Sequence, residues 1–214
     1  MNTDSRSDVN PPVAGARPAP TQGRSRLTAE RFIGAALTLL ETKAFEALSV
    51  ADLAREAGRS VGAFYQRFGS KDDFLTVLLT AYFERGEAES ARLLAEGKDE
   101  SIVEALLAEN FAVTMRNQNL WHAALRRSAA DPSFWAQFHP YALRGRRLVV
   151  ERLAELRGAP LDEDEVLSLG IAVQVFNSVI NNQMLNTPGP LSLSNSDFLP
   201  SLLRIFRAVY AAPL

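Results

Sequence analysis

Between residues 49 and 73 the chain reads SVADLAREAGRSVGAFYQRFGSKDD, in which capping residues and glycines recur too closely for anything but short helices. Ser49 precedes Val50, Leu53, Ala54 and Ala57, with Asp52 three positions on, close to a capping box although Asp replaces Glu or Gln. Gly58 stands where a helix C-terminus needs a residue that reaches positive φ. Residues 60–67 then form a second short helix, Gly69-Ser70 breaks it, and Ser70 caps a third that begins Lys71-Asp72-Asp73. Two short helices joined by a glycine turn make a helix-turn-helix arrangement.

The same stretch contains G-R-S-V-G, the spacing of a hydrolase nucleophile elbow, so Ser60 must be weighed as a nucleophile. That chemistry needs a strand running into the serine and a base beside it. Here a capped helix precedes Ser60, and nothing ties the two histidines, His122 and His139, to it. A serine hydrolase is therefore the minor alternative, and the chain is expected not to be an enzyme. In the helical reading Val50, Leu53, Ala54, Phe64 and Phe68 bury against a preceding helix. Ser60, Val61, Gly62, Ala63, Tyr65, Gln66 and Arg67 are left to face outward. Gly62 lets that face approach another surface closely, and Tyr65 offers a hydroxyl to a phosphate. Lys71 adds a cation where free helix-terminal amides also favour an anion.

Upstream, residues 1–25 hold four of the eleven prolines and no apolar period, and are expected to be a disordered tail. Its end carries Arg24 and Arg26, mobile charge suited to a minor groove or the backbone. From Thr28, a plausible N-cap, Phe32, Ile33, Ala36, Leu37 and Leu40 fall on one helical face. Downstream the chain reads as helix over 71–96, 101–116, 119–130, 133–157, 162–185 and 196–211, with no alternating strand run. Asp131-Pro132 marks a helix start. The fold class is all-α: a tail (1–25), a helix-turn-helix domain (26–72) and a larger helical domain (73–214).

Charge by itself favours a nucleic-acid partner only weakly. Residues 1–71 carry ten Lys+Arg against seven Asp+Glu, whereas residues 72–214 carry thirteen against eighteen. Cysteine is absent, which removes disulfides and thiolate chemistry, and two histidines give a metal site little support. No cofactor is expected. With no export signal or apolar span in view, the expected location is cytoplasmic.

Residues 27–74 resemble the DNA-binding domain of the TetR family of bacterial transcriptional regulators, most closely in LAREAG and in SVGAFYQRFGSKDDF. The resemblance covers about a quarter of the chain; the rest of such proteins diverges widely. It implies that Ser49, Tyr65 and Lys71 contact phosphates, with Arg67 at a frequent histidine position. Val61, Gly62 and Gln66 would lie nearest base edges or the adjoining backbone. Three positions depart from the pattern. Arg59 replaces a small apolar residue, Ala63 a Thr or Ser, and Arg67 carries a permanent charge. Arg59 and Arg67 add potential backbone contacts, while Val61 can meet only an apolar group such as a thymine methyl.

The C-terminal region supplies the other expectations. Segment 162–185 has two apolar rows: Val166, Leu169, Val173, Phe176 and Ile180, and Leu167, Ile171, Val175, Val179 and Leu185. A helix apolar most of the way round needs two partners, one of which can be a second subunit. Segment 196–211 has a similar excess, and the resemblance implies dimerisation through these last two helices. Phe111, Met115, Trp121, His122, Phe134, Trp135, Phe138 and Tyr141, with Asn177 and Gln183 as polar contacts, are candidates to line a largely apolar effector pocket. Arg144 and Arg147 read as a solvated or intersubunit face. The chain is expected to be a homodimeric regulator, most often a repressor, on a palindromic double-stranded operator. The rival from another class is a helical interaction protein that does not bind DNA.

Overall fold

The computed structural model describes residues 20–211, with side chains from residue 25 onward. Among them the helices are α1 (Pro20–Leu40), α2 (Val50–Ala57), α3 (Val61–Phe68), α4 (Lys71–Glu96), α5 (Ile102–Arg116), α6 (Gln118–Ala130), α7 (His139–Arg157), α8 (Glu163–Asn186) and α9 (Phe198–Tyr210). Short 3-10 turns span Phe45–Ala47 and Pro132–Phe138. The described residues contain no strand.

The punctuation between 49 and 73 works as its residue types dictate. Ser49 Oγ accepts from Asp52 N at 3.0 Å and Asp52 Oδ2 accepts from Ser49 N at 3.3 Å, a reciprocal capping box. Gly58 ends α2 at φ 60°, and Arg59 N donates back to the Ala54 carbonyl at 2.9 Å. Ser60 and Ser70 cap α3 and α4 by accepting from Ala63 N at 3.1 Å and Asp73 N at 3.0 Å.

Two cores hold the molecule. In the first, Phe32 of α1 meets Phe64 and Phe68 of α3 at centroid distances of 5.4 and 5.6 Å, and Phe74 of α4 closes the group 5.1 Å from Phe64. Leu120, Ala123 and Ala124 of α6, with Phe134 and Phe138, belong to this same core. The second joins Leu94, the first half of α5, Leu153, and the facing sides of α8 and α9 through Leu169, Phe176, Ile180, Phe198, Leu202 and Phe206. The apolar rows of α8 differ in burial, with Val166, Val173, Ile171 and Val175 half-buried between them. Leu169, Phe176 and Ile180 are buried, whereas Leu167, Val179 and Leu185 are exposed, Leu167 at 53%.

Two boundaries differ from the sequence expectation. Thr28 does not cap α1, because the helix begins at Pro20. Of the expected tail 1–25, residues 1–19 lie outside the described residues and 20–25 are helical. Apolar periodicity reports burial rather than helicity, and Ser25, Arg26 and Leu27 are exposed, so this extension leaves no periodic signal. Segment 133–157 divides into the 3-10 turn and α7. Pro140, in the first turn of α7, lacks an amide proton and its ring would collide with the carbonyl one turn earlier.

Candidate nucleic-acid interface

The α3 helix turns one face inward and presents the other to solvent. Phe64 and Phe68 are buried, while Val61 is 41% and Tyr65 51% exposed on this eight-residue helix. Gly62, Gln66 and Arg67 share the outer surface. A Cβ added at Gly62 would meet nothing nearer than Ser60 Oγ at 3.9 Å, so the glycine is not required by packing within the chain. Its missing side chain instead leaves the backbone open to close approach from outside.

The polar residues around this face are held by short-range bonds. The Ser60 hydroxyl is occupied in capping α3, and the element before it is a helix. The nucleophile-elbow geometry is therefore absent at Ser60. Ser49 is exposed and engaged with Asp52, whose carboxylate also takes a bond from Arg55 Nη2 at 2.5 Å. The hydrogen bonds from Ser49 and then Arg55 hold the Asp52 carboxyl down at about 2. Arg59 Nη1 donates to the Gly58 carbonyl at 3.2 Å. Arg26 rides on α1 rather than on a mobile arm, with its Nε 2.9 Å from Glu30 Oε1; the Arg24 side chain lies outside the described residues.

Lys71 has a seat that sequence reasoning missed. Its ammonium donates to the Glu46 carbonyl at 3.1 Å and stands 4.9 Å from the Phe45 ring centroid. Burial pushes its pKa down, opposed by the charges of Glu46 and Asp72. Nothing in the spacing of residues 46 and 71 announces this contact, because the tertiary packing of α1, α2 and α4 creates it. Two donor protons remain for an external oxyanion.

The expected effector-site residues come together only in part. Trp121, Trp135, Phe138 and Tyr141 gather around Phe83, their centroids 5.9, 6.3, 5.2 and 5.4 Å from its ring. Phe134 packs behind Phe138 at 5.6 Å, and Tyr82 lies 5.6 Å from Trp121. Tyr82 and Phe83 were not anticipated, although they sit one helical turn beyond the buried Leu78 and Leu79. Phe111 is elsewhere, stacked on Phe198 at 5.8 Å in the second core, and Asn177 is exposed on α8. The polar contact from α8 is instead Asn181, whose Oδ1 accepts from Trp121 Nε1 at 2.9 Å. Gln183 is buried and accepts from Gly189 N at 3.1 Å, which makes it a loop support. His122 and Met115 are half-buried. Arg144 is not free solvated charge, since it forms a bidentate pair with Glu87 at 2.5 and 3.0 Å, raising the arginine pKa and lowering that of the acid.

Comparison with known proteins agrees with this geometry. Residues 32–78 match the family model described as bacterial regulatory proteins, tetR family. An uncharacterized HTH-type transcriptional regulator of Bacillus subtilis, YwcC, is 41% identical over 83 residues, 34% of this chain and 37% of that protein. The match thus spans little more than a third of the curated relative. Among solved structures, a putative TetR-family transcriptional regulator from Mesorhizobium loti superimposes with a TM-score of 0.66 at 18% identity, over 87% of this chain and 95% of that one. Thermus thermophilus FadR, a TetR-family transcriptional repressor solved in complex with lauroyl-CoA, gives 0.59 at 20% identity, over 87% and 96%. Sequence over the helix-turn-helix and backbone over most of the chain point the same way: residues 32–78 match the bacterial tetR regulatory family, and the chain has the fold of TetR-family regulators.

Proposed function

We propose that the chain is a ligand-responsive, DNA-binding transcriptional regulator that acts as a homodimer on a palindromic operator. The observation that carries this reading is the outer face of α3, where Val61, Gly62, Tyr65, Gln66 and Arg67 project from a helix anchored by Phe64 and Phe68. A rigid helix exposing an apolar residue, a bare backbone and hydrogen-bonding tips suits a major groove. Residues 26–72 form the reading unit. Ser49, Tyr65 and Lys71 take phosphates, and Arg24, Arg26, Arg59, Ser60 and Arg67 assist them.

The second subunit covers Leu167, Val179 and Leu185 of α8 and Ile205 of α9, which one chain leaves exposed. A twofold pair then presents two copies of α3 to successive major grooves. The effector is a small, mostly apolar molecule that lies among Trp121, Trp135, Phe138 and Tyr141 and releases the repressor. It acts only through its difference in affinity between the DNA-competent and DNA-incompetent states. Selection of bound fragments from source genomic DNA tests the reading. Enrichment of a common palindrome protected from cleavage by the purified protein is expected. Recovery of no shared sequence would favour a helical interaction protein instead.

A further inference from the structure

The core beneath the reading helix extends past the helix-turn-helix. Leu120, Ala123 and Ala124 of α6 are buried in the cluster that contains Phe32, Phe64 and Phe74. At the start of α6, Asn119 Nδ2 donates to the Leu40 carbonyl at the end of α1 at 2.7 Å. The α6 helix is thus part of the base on which α3 is mounted. Its far end, Arg126 and Arg127, reaches a surface cleft of about 460 Å³ shared with Phe45, Glu46, Lys71 and Asp72.

The two arginines differ in what already holds them. Arg127 is engaged, with Nη2 3.3 Å from Asp131 Oδ2 and its guanidinium 5.5 Å from the Phe134 ring centroid. Arg126 is exposed, and among the described residues no hydrogen bond or ion pair ties it down. The helix-turn-helix also has less free positive charge than its composition indicates. Arg26 is paired with Glu30, Arg55 with Asp52, and Lys71 directs one donor to the Glu46 carbonyl. The rim carboxylates Glu46 and Asp72 flank Lys71, so among the described residues Arg126 is the cleft cation that no hydrogen bond or ion pair already holds.

We propose that Arg126 is a DNA-backbone contact supplied by α6, outside the helix-turn-helix. Across the cleft from Lys71, its guanidinium takes a phosphate oxyanion beside the stretch of backbone that the first turn of α4 meets. A planar fork of donors matches phosphate oxygens, and the shared core keeps α6 in register with α3. This contact rests on the DNA-binding reading, and it strengthens binding without reading sequence.

The test is a salt titration by fluorescence anisotropy on an enriched fragment and on an unrelated duplex. Arg126→Gln is expected to weaken both equally and to lower the slope of log affinity against log salt by about 0.9; Arg126→Lys keeps the wild-type slope. An unchanged melting curve is expected for both variants, since Arg126 is exposed. Should Arg126→Gln keep the wild-type slope while Lys71→Gln lowers it, the α6 contact is overturned and the DNA-binding reading stands. Should the wild-type protein bind neither duplex, both fall. If inorganic phosphate raises the melting temperature of wild type but not of Arg126→Gln, while their DNA titrations coincide, the cleft is a small-anion seat and the backbone contact is overturned.

Discussion

The ammonium of Lys71 donates to the main-chain carbonyl of Glu46 at 3.1 Å, joining the first turn of α4 to the turn that precedes α2. A residue implied to touch DNA is therefore also a brace between two elements of the reading unit. Its replacement has two separable consequences. Lys71→Ala should lower thermal stability by about 1 kcal/mol through the lost hydrogen bond. It should also reduce the salt slope of DNA binding by about one. Calorimetric melting and anisotropy titration read the two effects independently, and an unaltered slope would remove Lys71 from the interface.

Tyr65→Phe removes a single exposed hydroxyl from a ring whose packing against Phe64, at 5.6 Å, is retained. Stability should be unchanged, and affinity should fall to the same degree for operator and unrelated duplex, as a phosphate contact requires. A loss confined to the operator would place Tyr65 at a base edge instead.

Gly62→Ala separates folding from function. The added methyl meets only Ser60 Oγ at 3.9 Å, and alanine is the better helix former by about 0.8–1 kcal/mol. The variant should melt higher than wild type and bind DNA more weakly, because the methyl stands where the backbone must approach the duplex. Tighter binding together with higher stability would show that Gly62 does not face DNA.

The acid limb of stability should contain a contribution from Asp52. Its folded pKa, about 2, lies below the unfolded carboxylate value of about 3.9. The stabilisation is therefore present above the unfolded value and is lost as pH falls through the folded one. The difference in melting temperature between wild type and Asp52→Asn should be steady near neutrality and shrink from about pH 4 towards pH 2. A difference independent of pH would mean that the capping box needs no charge.

Val179→Glu places a charge on the α8 row that the single chain leaves exposed. Sedimentation equilibrium should give a dimer for wild type and a monomer for the variant, with equal helical content by circular dichroism. Loss of helix together with loss of the dimer would assign Val179 to the chain's own core.

The amino-acid sequence alone determined the helices and their stops from 49 to 73, because capping by Ser49, Ser60 and Ser70 and the left-handed turn at Gly58 depend on atoms a few residues apart. It likewise determined that α8 carries two apolar rows, since helical periodicity is a local property. Tertiary structure decided which row faces inward, that Phe111 stacks on Phe198 while Trp121 reaches Asn181, and that Lys71 rests on Glu46. It also decided that α6 shares the core of α3. Those outcomes join residues 25 to 87 positions apart, and one-dimensional spacing does not encode which faces of separate helices meet. Packing selects them, by burying the most apolar surface with its polar groups still bonded.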